Sequence, residues 1–264
     1  MKQSSDNIKE QGALGDLPRI KTGIPGFDDL IEIGIPKGSN ILVSGGPGTG
    51  KTTFCLQTLN FAAANGEKCL YLSFEESKQN LMHHMRSYGW DPLTLEKQKL
   101  LTIKCLDPFQ ISRAVEALLA SARGELFIDI NEVAPLLPVD FKPDRIIFDS
   151  ISAVAAAFAD KEEGYRVYIE QLFRELGKIG ATSFLISEVE QGLTRYSKSG
   201  VEEFLADAVI ALYNLRRDNL RINAIEIIKI RGAAHQKKVV PLKIISGKGI
   251  EVYPLEDIFT TEKD

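Results

Sequence analysis

Short apolar runs alternate with amphipathic stretches through the middle of the chain. Four runs have the length and composition of buried strands, and they cover residues 40–44, 68–74, 145–149 and 181–187. Between them, helical spacing of apolar residues predicts helices over residues 52–64 and 77–88. Ser77 is typical of a helix N-cap, and Gly89 is typical of the residue that follows a helix end. A further predicted helix, before the last of these strands, is marked by Val167, Ile169, Leu172, Phe173 and Leu176.

The order of these elements indicates an α/β fold. Strand, helix and strand in succession imply parallel pairing with right-handed crossovers. After Ala208 the pattern changes to two predicted hairpins, 208–216 with 220–230 and 239–245 with 249–253, with turns at Asp218-Asn219 and Ser246-Gly247. We therefore expect a central, mostly parallel sheet flanked by helices and extended by antiparallel strands at the C-terminal end.

One domain is enough to hold this pattern. The chain has 264 residues, 44% of them hydrophobic, which suffices for a single large core. Residues 1–17 lack apolar periodicity and are expected to be a flexible lead, residues 18–255 the domain, and residues 256–264 a frayed tail.

The composition narrows the class of protein. The N-terminus has no apolar signal region, and no run approaches the roughly eighteen apolar residues of a membrane span, so we expect a cytoplasmic protein. The three cysteines form no CxxC pair, so neither a zinc site nor a disulfide framework is indicated. The net charge of −4 argues weakly against a dedicated nucleic-acid-binding protein, although it leaves room for a local basic stripe.

A phosphate-binding loop lies between the first predicted strand and the first predicted helix. Residues 45–53, GGPGTGKTT, match the pattern GxxxxGK[ST] in full. Glycines permit positive φ angles and leave no Cβ between the backbone N–H groups and a phosphate, and the following helix adds the positive end of its dipole. Lys51 is expected between the outer phosphates of ATP, and the Thr52 hydroxyl is an expected ligand of Mg²⁺. The predicted nucleotide-binding residues of the loop are Gly46, Pro47, Gly48, Thr49, Gly50, Lys51, Thr52 and Thr53.

Three carboxylates stand at or directly after the ends of predicted strands. Asp149 ends an apolar strand in the Walker B pattern, where the carboxyl ends of parallel strands face a ligand crevice, so it is expected to bind magnesium or its water shell. A strand-capping aspartate is the alternative explanation. Glu75 and Glu76 follow the strand at 68–74, which should neighbour the strand before the phosphate-binding loop, so one of them is expected to activate the attacking water. For Glu76 the preference of acidic residues for the first turn of a helix explains the position equally well. The predicted magnesium ligands are Thr52, Glu76 and Asp149.

Two cations near the end of a predicted strand suit a phosphate supplied from elsewhere. Lys229 and Arg231 flank Ile230, so strand alternation sends both cations to one face, next to Gly232. A solvated charged edge is the alternative explanation of the same pattern.

Together these motifs resemble those of the KaiC-like family of RecA-type P-loop ATPases and its single-domain homologues. The segments that carry the resemblance are 22–30, 34–38, 73–77, 88–90, 148–152, 200–204 and 229–235, within a similarity that runs from about residue 20 to residue 254. The resemblance implies a RecA-like P-loop NTPase fold, with ATP and Mg²⁺ bound between the subunits of a hexameric ring. Lys229 and Arg231 then match catalytic cations that a neighbouring subunit offers to the γ-phosphate, and His235 matches a residue near the nucleotide in that neighbour.

The chain departs from the family pattern at two places. Ser187, also an expected nucleotide-binding residue, and Glu188 resemble a Thr-Glu pair that the family follows with arginine, whereas Val189 stands there in this chain. The Ser-Thr pair that the family's second domain phosphorylates falls at Glu203 and Phe204, which cannot accept phosphate. The resemblance is therefore to the purely hydrolytic domain, and self-phosphorylation is not expected.

We thus expect a homo-oligomeric ATPase whose nucleotide state governs its contact with an unknown protein partner. A RadA-like DNA recombination or repair ATPase is the alternative. The loop at residues 191–200 carries Arg195, Tyr196 and Lys198, a small set of basic and aromatic groups for binding single-stranded DNA. A third possibility is a nucleotide-gated scaffold with negligible turnover. Phosphate release separates the third possibility from the first, and a salt-dependent DNA titration separates the second.

Overall fold

The computed structural model describes residues 18–121, 137–138, 141–158, 161–189, 195–217 and 219–258. The predicted lead at 1–17, most of the predicted tail, the first part of the loop at 191–200 and Asp218 lie outside the described residues. Within the described part of the chain, no helix is both long enough and apolar enough to cross a membrane.

A nine-stranded sheet organises the fold, and a two-stranded ribbon of β1 and β2 lies apart from it. The strands are β1 Arg19–Ile20, β2 Ile35–Pro36, β3 Asn40–Gly45, β4 Cys69–Ser73, β5 Leu101–Cys105, β6 Arg145–Asp149, β7 Thr182–Glu188, β8 Ala208–Arg217, β9 Leu220–Ile230, β10 Val240–Ile245 and β11 Gly249–Val252. The helices are α1 Lys51–Ala64, α2 Lys78–Ser87, α3 Pro92–Lys97, α4 Pro108–Ser121, α5 Ile151–Ala157, α6 Glu162–Ile179 and α7 Glu202–Leu205.

The sheet order is β11-β10-β9-β8-β3-β7-β6-β4-β5. The six strands from β8 to β5 pair in parallel, and β9, β10 and β11 continue the sheet in antiparallel fashion. The two predicted hairpins are present, with β8 pairing β9 and β10 pairing β11. The predicted class, a mostly parallel sheet with antiparallel C-terminal strands, is therefore confirmed.

One predicted adjacency is wrong. The strand before the phosphate-binding loop, β3, lies between β7 and β8, whereas β4 lies between β6 and β5. Two strands, β7 and β6, therefore separate β4 from β3. The prediction failed because consecutive strands in a doubly wound sheet need not be neighbours, and the crossover helices that decide the order leave no local sequence signal.

The sheet buries both of its faces, which gives the molecule two hydrophobic cores. Successive residues of a strand point to opposite faces, so Val43 joins one core with α1 and α2, while Leu42 joins the other core with α4, α5 and α6. This three-layer packing explains why β3, β4 and β6 are continuous apolar runs rather than alternating ones.

Several elements were not predicted from the sequence. These are α3, β5 and α4, and the connection from β6 to β7 contains two helices, α5 and α6, in place of the single predicted one. All three cysteines are free thiols, with Cys55 and Cys69 buried and Cys105 exposed.

Candidate functional site

The phosphate-binding loop connects the carboxyl end of β3 to the start of α1. Gly50 occupies the N-cap position of α1 with φ of 99°, and a Cβ there would lie 2.9 Å from the Ile244 Cδ1 atom, so both its conformation and its surroundings favour glycine. No side chain caps α1, and its first turn holds no acidic residue. The N–H groups of that turn therefore form the type of helix terminus that binds anions.

Lys51, the first residue of α1, has a buried side chain. Its Nζ atom donates a hydrogen bond to the Gly46 carbonyl oxygen at 2.9 Å and lies 3.4 Å from Oε1 of Glu188. The second contact is an ion pair between a lysine side chain that is 7% exposed and a carboxylate that is 49% exposed.

Asp149 ends β6 and is buried next to the first turn of α1. The Thr52 hydroxyl donates to its Oδ2 atom at 3.1 Å, and the Tyr71 hydroxyl donates to the same oxygen. Burial raises the pKa of Asp149 from its ordinary value of 3.8 to about 6, the hydrogen bonds from Tyr71 and Thr52 oppose that shift, and the charges of Glu75 and Glu76 add to it. Asp149 therefore carries a charge that its surroundings only partly compensate.

Glu75 and Glu76 follow β4 and lie near Asp149, although β4 does not neighbour β3. The strand next to β4 on the side of the loop is β6, and its register with β4 places Ser73 opposite Asp149. The hydroxyl of Ser150 donates to the Glu75 carboxylate, and the Glu76 carboxylate lies 3.5 Å from Nδ1 of His84. The pair thus reaches Asp149 through β6 and not through the predicted adjacency.

A cavity of about 410 Å³ lies at this edge of the sheet. The cavity is lined by residues of α1, α2, β6, β7 and β10 and of the adjoining loops. These residues are Gly48, Gly50, Lys51, Thr52, Thr53, Leu56, Glu75, Glu76, His84, Ser87, Tyr88, Asp149, Ile186, Glu188 and Ile244. The structure therefore gathers the central residues of the predicted P-loop site and all three predicted carboxylates around one space.

Seven predicted site residues are not among those that line this cavity. Gly46, Pro47 and Thr49 belong to the phosphate-binding loop itself, whereas Ser187, Lys229, Arg231 and His235 lie elsewhere. Ser187 is buried on β7 between Ile186 and Glu188, which do line it, so its side chain points to the other face of the sheet. Lys229, Arg231 and His235 lie at and beyond the end of β9, where Lys229 pairs in register with Val209 near the start of β8. Because β8 is parallel to β3, this is the end of the sheet opposite to the phosphate-binding loop.

Arg231, one of the two cations at the end of β9, has partners within the chain. Arg231 lies 3.3 Å from the Asp207 carboxylate and donates to the Phe204 carbonyl oxygen at 2.9 Å. Burial, and after it the charge of Arg231, lower the pKa of Lys229, while Asp207 and Glu203 oppose that shift. Arg231 remains exposed, and neither ring nitrogen of the partly buried His235 has a hydrogen-bond partner.

Several residues of the cavity were not predicted as site residues. His84, Ser87 and Tyr88 come from the end of α2 and the residue after it, and Tyr88 lies 3.3 Å from the Thr53 hydroxyl. Ile244 comes from β10, far along the chain. Tyr88 lies in the segment 88–90 that carries part of the family resemblance, but no sequence pattern placed it or the other three residues at the nucleotide, and only the tertiary structure brings them there. Glu188 carried a partial signal, since it directly follows the predicted strand at 181–187.

The donor set fits ATP and magnesium. The cavity combines one lysine, an uncapped helix start and a glycine whose Cβ the packing excludes, which together suit a polyphosphate. Thr52 and Asp149 supply the hard oxygen ligands that Mg²⁺ prefers. Among the described residues no group of three or more His, Cys, Asp or Glu side chains is placed to hold a metal, which is compatible with a Mg²⁺ bound by one or two protein groups together with substrate phosphates.

Comparison with known proteins identifies the family of the chain. A family model described as the KaiC ATPase matches residues 20–257. Circadian clock protein KaiC3 of Synechocystis is 32% identical over 247 residues, which are 94% of this chain and 48% of that protein. The circadian clock oscillator protein KaiC of Synechococcus elongatus is 31% identical over 261 residues, which are 98% of this chain and 48% of that protein. The chain thus spans about half of the length of these clock proteins.

Two archaeal proteins match over nearly their whole length. A UPF0273 protein of Pyrococcus furiosus is 32% identical over 244 residues, which are 89% of this chain and 94% of that protein. The crystal structure of a KaiC-like protein from Pyrococcus horikoshii is similar with a TM-score of 0.72 and 31% identity, and it covers 90% of this chain and 100% of that one. The predicted family and the predicted RecA-like fold are both confirmed.

Proposed function

This chain belongs to the KaiC family of ATPases, and on that premise we propose that it binds ATP with magnesium in the cavity beside the phosphate-binding loop and hydrolyses it. One observation carries the proposal: a lysine and a hydroxyl of α1, a carboxylate at the end of β6 and two carboxylates that follow β4 line a single cavity of about 410 Å³. These residues are Lys51, Thr52, Asp149, Glu75 and Glu76. They are the groups that phosphoryl transfer to water requires.

Each group has a role that its environment supports. The buried ammonium of Lys51 and the N–H groups at the start of α1 bind the outer phosphates. Thr52 and Asp149, which already share a hydrogen bond, are the groups that would hold Mg²⁺, with Glu76 as a further ligand. The metal supplies Lewis-acid stabilisation of the phosphate oxygens when it is bound. Glu75 or Glu76 orients the attacking water and accepts its proton.

Binding and hydrolysis are separable in a test with two variants. Lys51→Ala should abolish ATP binding in a calorimetric titration with Mg²⁺, because the phosphates lose the buried lysine that lines the cavity. Glu75→Gln combined with Glu76→Gln should retain ATP binding and lose phosphate release, because amides cannot accept the proton of the water. Lys178→Ala, which removes an exposed ion-paired lysine on α6, is the matched control and should change neither property. Unchanged affinity in Lys51→Ala would remove the basis of the proposal.

The site is proposed to be completed by a neighbouring subunit in a ring, most simply a hexamer as the family resemblance implies. Within one chain, Arg231 lies beyond Ile230, the partner of Ala208 at the start of β8, whereas the phosphate-binding loop follows Gly45 at the opposite end of the parallel β3. Asn40 and Gly45 are five positions apart on β3, which corresponds to about 16 Å along the sheet. An arginine so placed serves another copy of the chain more readily than its own site.

A regulatory role extends the proposal. Two relatives are named as circadian clock proteins, and this supports a function in which the nucleotide state changes how the protein engages a protein partner. Phe204, exposed and bonded through its carbonyl oxygen to Arg231, lies on the same surface as the proposed trans cations.

A further inference from the structure

The carboxylate of Glu188 lies within 3.4 Å of the ammonium of Lys51, inside the cavity proposed for ATP. No other carboxylate is paired with Lys51 among the described residues, and its second hydrogen bond goes to the Gly46 carbonyl oxygen. The inference drawn below from this pair rests on the proposed function, because it concerns how the same cavity handles its substrate.

The fold holds Glu188 in this place. It is the last residue of β7 and lies in register with Gly45, the last residue of β3. Its backbone N–H donates to the Ser152 hydroxyl at 2.7 Å, which anchors the strand end to α5. Ile186, two residues earlier, also lines the cavity, so strand alternation directs the Glu188 side chain to the same side.

Glu188 and the phosphates of a nucleotide need the same cation. Among the described residues Lys51 is the only lysine or arginine in the cavity lining, and with its side chain 7% exposed it has little freedom to leave. The Glu188 side chain is 49% exposed, so its carboxylate can turn to water at small cost. A bound polyphosphate therefore displaces Glu188 from Lys51 and leaves like charges close together, which is unfavourable.

We propose that Glu188 is a displaceable counter-ion of Lys51 that lowers the affinity of the site for the phosphates of ATP and ADP. The pair neutralises the buried lysine before nucleotide binds, and it opposes binding because it must be broken. The same residue accelerates release of ADP, since the carboxylate recaptures Lys51 as the nucleotide departs.

The proposed role predicts two opposite effects of removing the charge of Glu188, one on nucleotide affinity and one on thermal stability. Removing the charge of Glu188 should tighten nucleotide binding, because neither the ion pair nor the like-charge repulsion then opposes the phosphates. The same change should lower the melting temperature of the protein without nucleotide, because the buried ammonium of Lys51 loses its counter-ion. A residue that merely holds the cavity in shape would weaken both properties together.

The test compares Glu188→Gln with Glu170→Gln. Glu170 is a matched control, since its side chain is 44% exposed and pairs with Arg166 at 3.2 Å on α6, away from the cavity lining. In calorimetric titrations with Mg²⁺ and either ADP or a non-hydrolysable imido analogue of ATP, Glu188→Gln should bind about three- to tenfold more tightly than the wild type. The gain should shrink at high ionic strength, and Glu170→Gln should show no gain.

Two further variants keep the outcome clear. Glu188→Ala, which also lacks the charge, should tighten binding as the amide does, and Glu188→Asp, which retains it, should return the affinity toward the wild-type value. Equal or weaker binding by both uncharged variants, with wild-type protein that does bind nucleotide, overturns the counter-ion role and leaves the proposed ATP site standing. Wild-type protein that binds neither nucleotide overturns the proposed function itself.

Discussion

At the scale of single residues, the buried carboxylate of Asp149 lowers the stability of the folded protein, although the proposed site needs that carboxylate. Its carboxylate is buried at the end of β6 with Tyr71 and Thr52 as hydrogen-bond donors, and three further carboxylates, those of Glu75, Glu76 and Glu188, line the same cavity. Burial raises the pKa of Asp149 to about 6, so the folded protein binds this proton more tightly than the unfolded chain does. Stability is therefore lost as the pH rises from about 4 to about 6, and the full penalty is present at higher pH.

Asp149→Asn is accordingly expected to stabilise the protein in the presence of a chelator at pH 7.5, by roughly 1–3 kcal/mol. The amide has nearly the shape of the carboxylate and retains an acceptor for Tyr71 and Thr52, but it carries no buried charge. Thermal unfolding of both proteins at pH 7.5 and pH 5 measures the effect, and the gain should be smaller at pH 5. A variant that is less stable than the wild type at pH 7.5 would show that the hydrogen bonds of the ionised carboxylate outweigh its burial.

At the scale of elements, the segment from residue 195 to α7 bears on whether the protein binds DNA. The Tyr196 N–H donates to the Glu203 carboxylate at 2.6 Å, and the Ser199 hydroxyl donates to Glu202 at 2.5 Å. Glu202 is itself buried and accepts from the Tyr165 hydroxyl at 2.5 Å. Tyr196 packs against the second hydrophobic core. The described part of this segment is therefore tied to the body of the protein, and the Tyr196 ring has little freedom to stack on a base.

We expect weak binding or none to single-stranded DNA at physiological salt. The reasons are the restrained Tyr196, the two glutamates beside it and the net charge of −4. A fluorescence-anisotropy titration of an oligothymidine at about 50 mM and about 150 mM salt measures the affinity and its salt dependence. Sub-micromolar affinity at the higher salt, lost on Tyr196→Ala, would favour the recombinase alternative.

At the scale of the whole molecule, the proposed catalytic groups lie at two opposite ends of the strands of the sheet. Lys51, Asp149 and the two glutamates face the carboxyl edge of the parallel strands, and the cations of β9 lie at the opposite edge. A head-to-tail assembly brings these two opposite ends of the strands together in successive subunits. Only a closed ring then gives every site the cations of a neighbour. Because ATP would then contact two subunits, it should stabilise the assembly.

Arg231→Ala and Glu75→Gln should each be nearly inactive alone, whereas mixed rings should recover part of the ATPase activity. Recovery is expected because some interfaces pair an intact Glu75 with an intact Arg231, and a trans arginine is typically worth about 10³–10⁵ in rate. Native mass spectrometry with and without ATP establishes the assembly and the mixing, and phosphate release measures the activity. Absence of recovery in demonstrably mixed rings, or an active monomer, contradicts the shared site.

Much of this protein was predictable from local sequence. The phosphate-binding loop, the helix after it, the N-cap at Ser77 and the strand that ends at Asp149 each depend on residues close in the chain. Glycine conformation, capping and apolar runs are local properties, so they leave a local pattern. The parallel sheet and its antiparallel extension followed from the order of those elements.

The tertiary structure alone decided which elements meet. The order of strands placed β6 and β7 between β3 and β4, and this brought Glu188 against Lys51 and joined Glu75 and Glu76 to Asp149 through β6. It also directed Ser187 away from the cavity and left Arg231 at the far end of the sheet. These positions depend on long crossovers and on the packing of helices across both faces, and such contacts between distant residues have no signature in a single sequence.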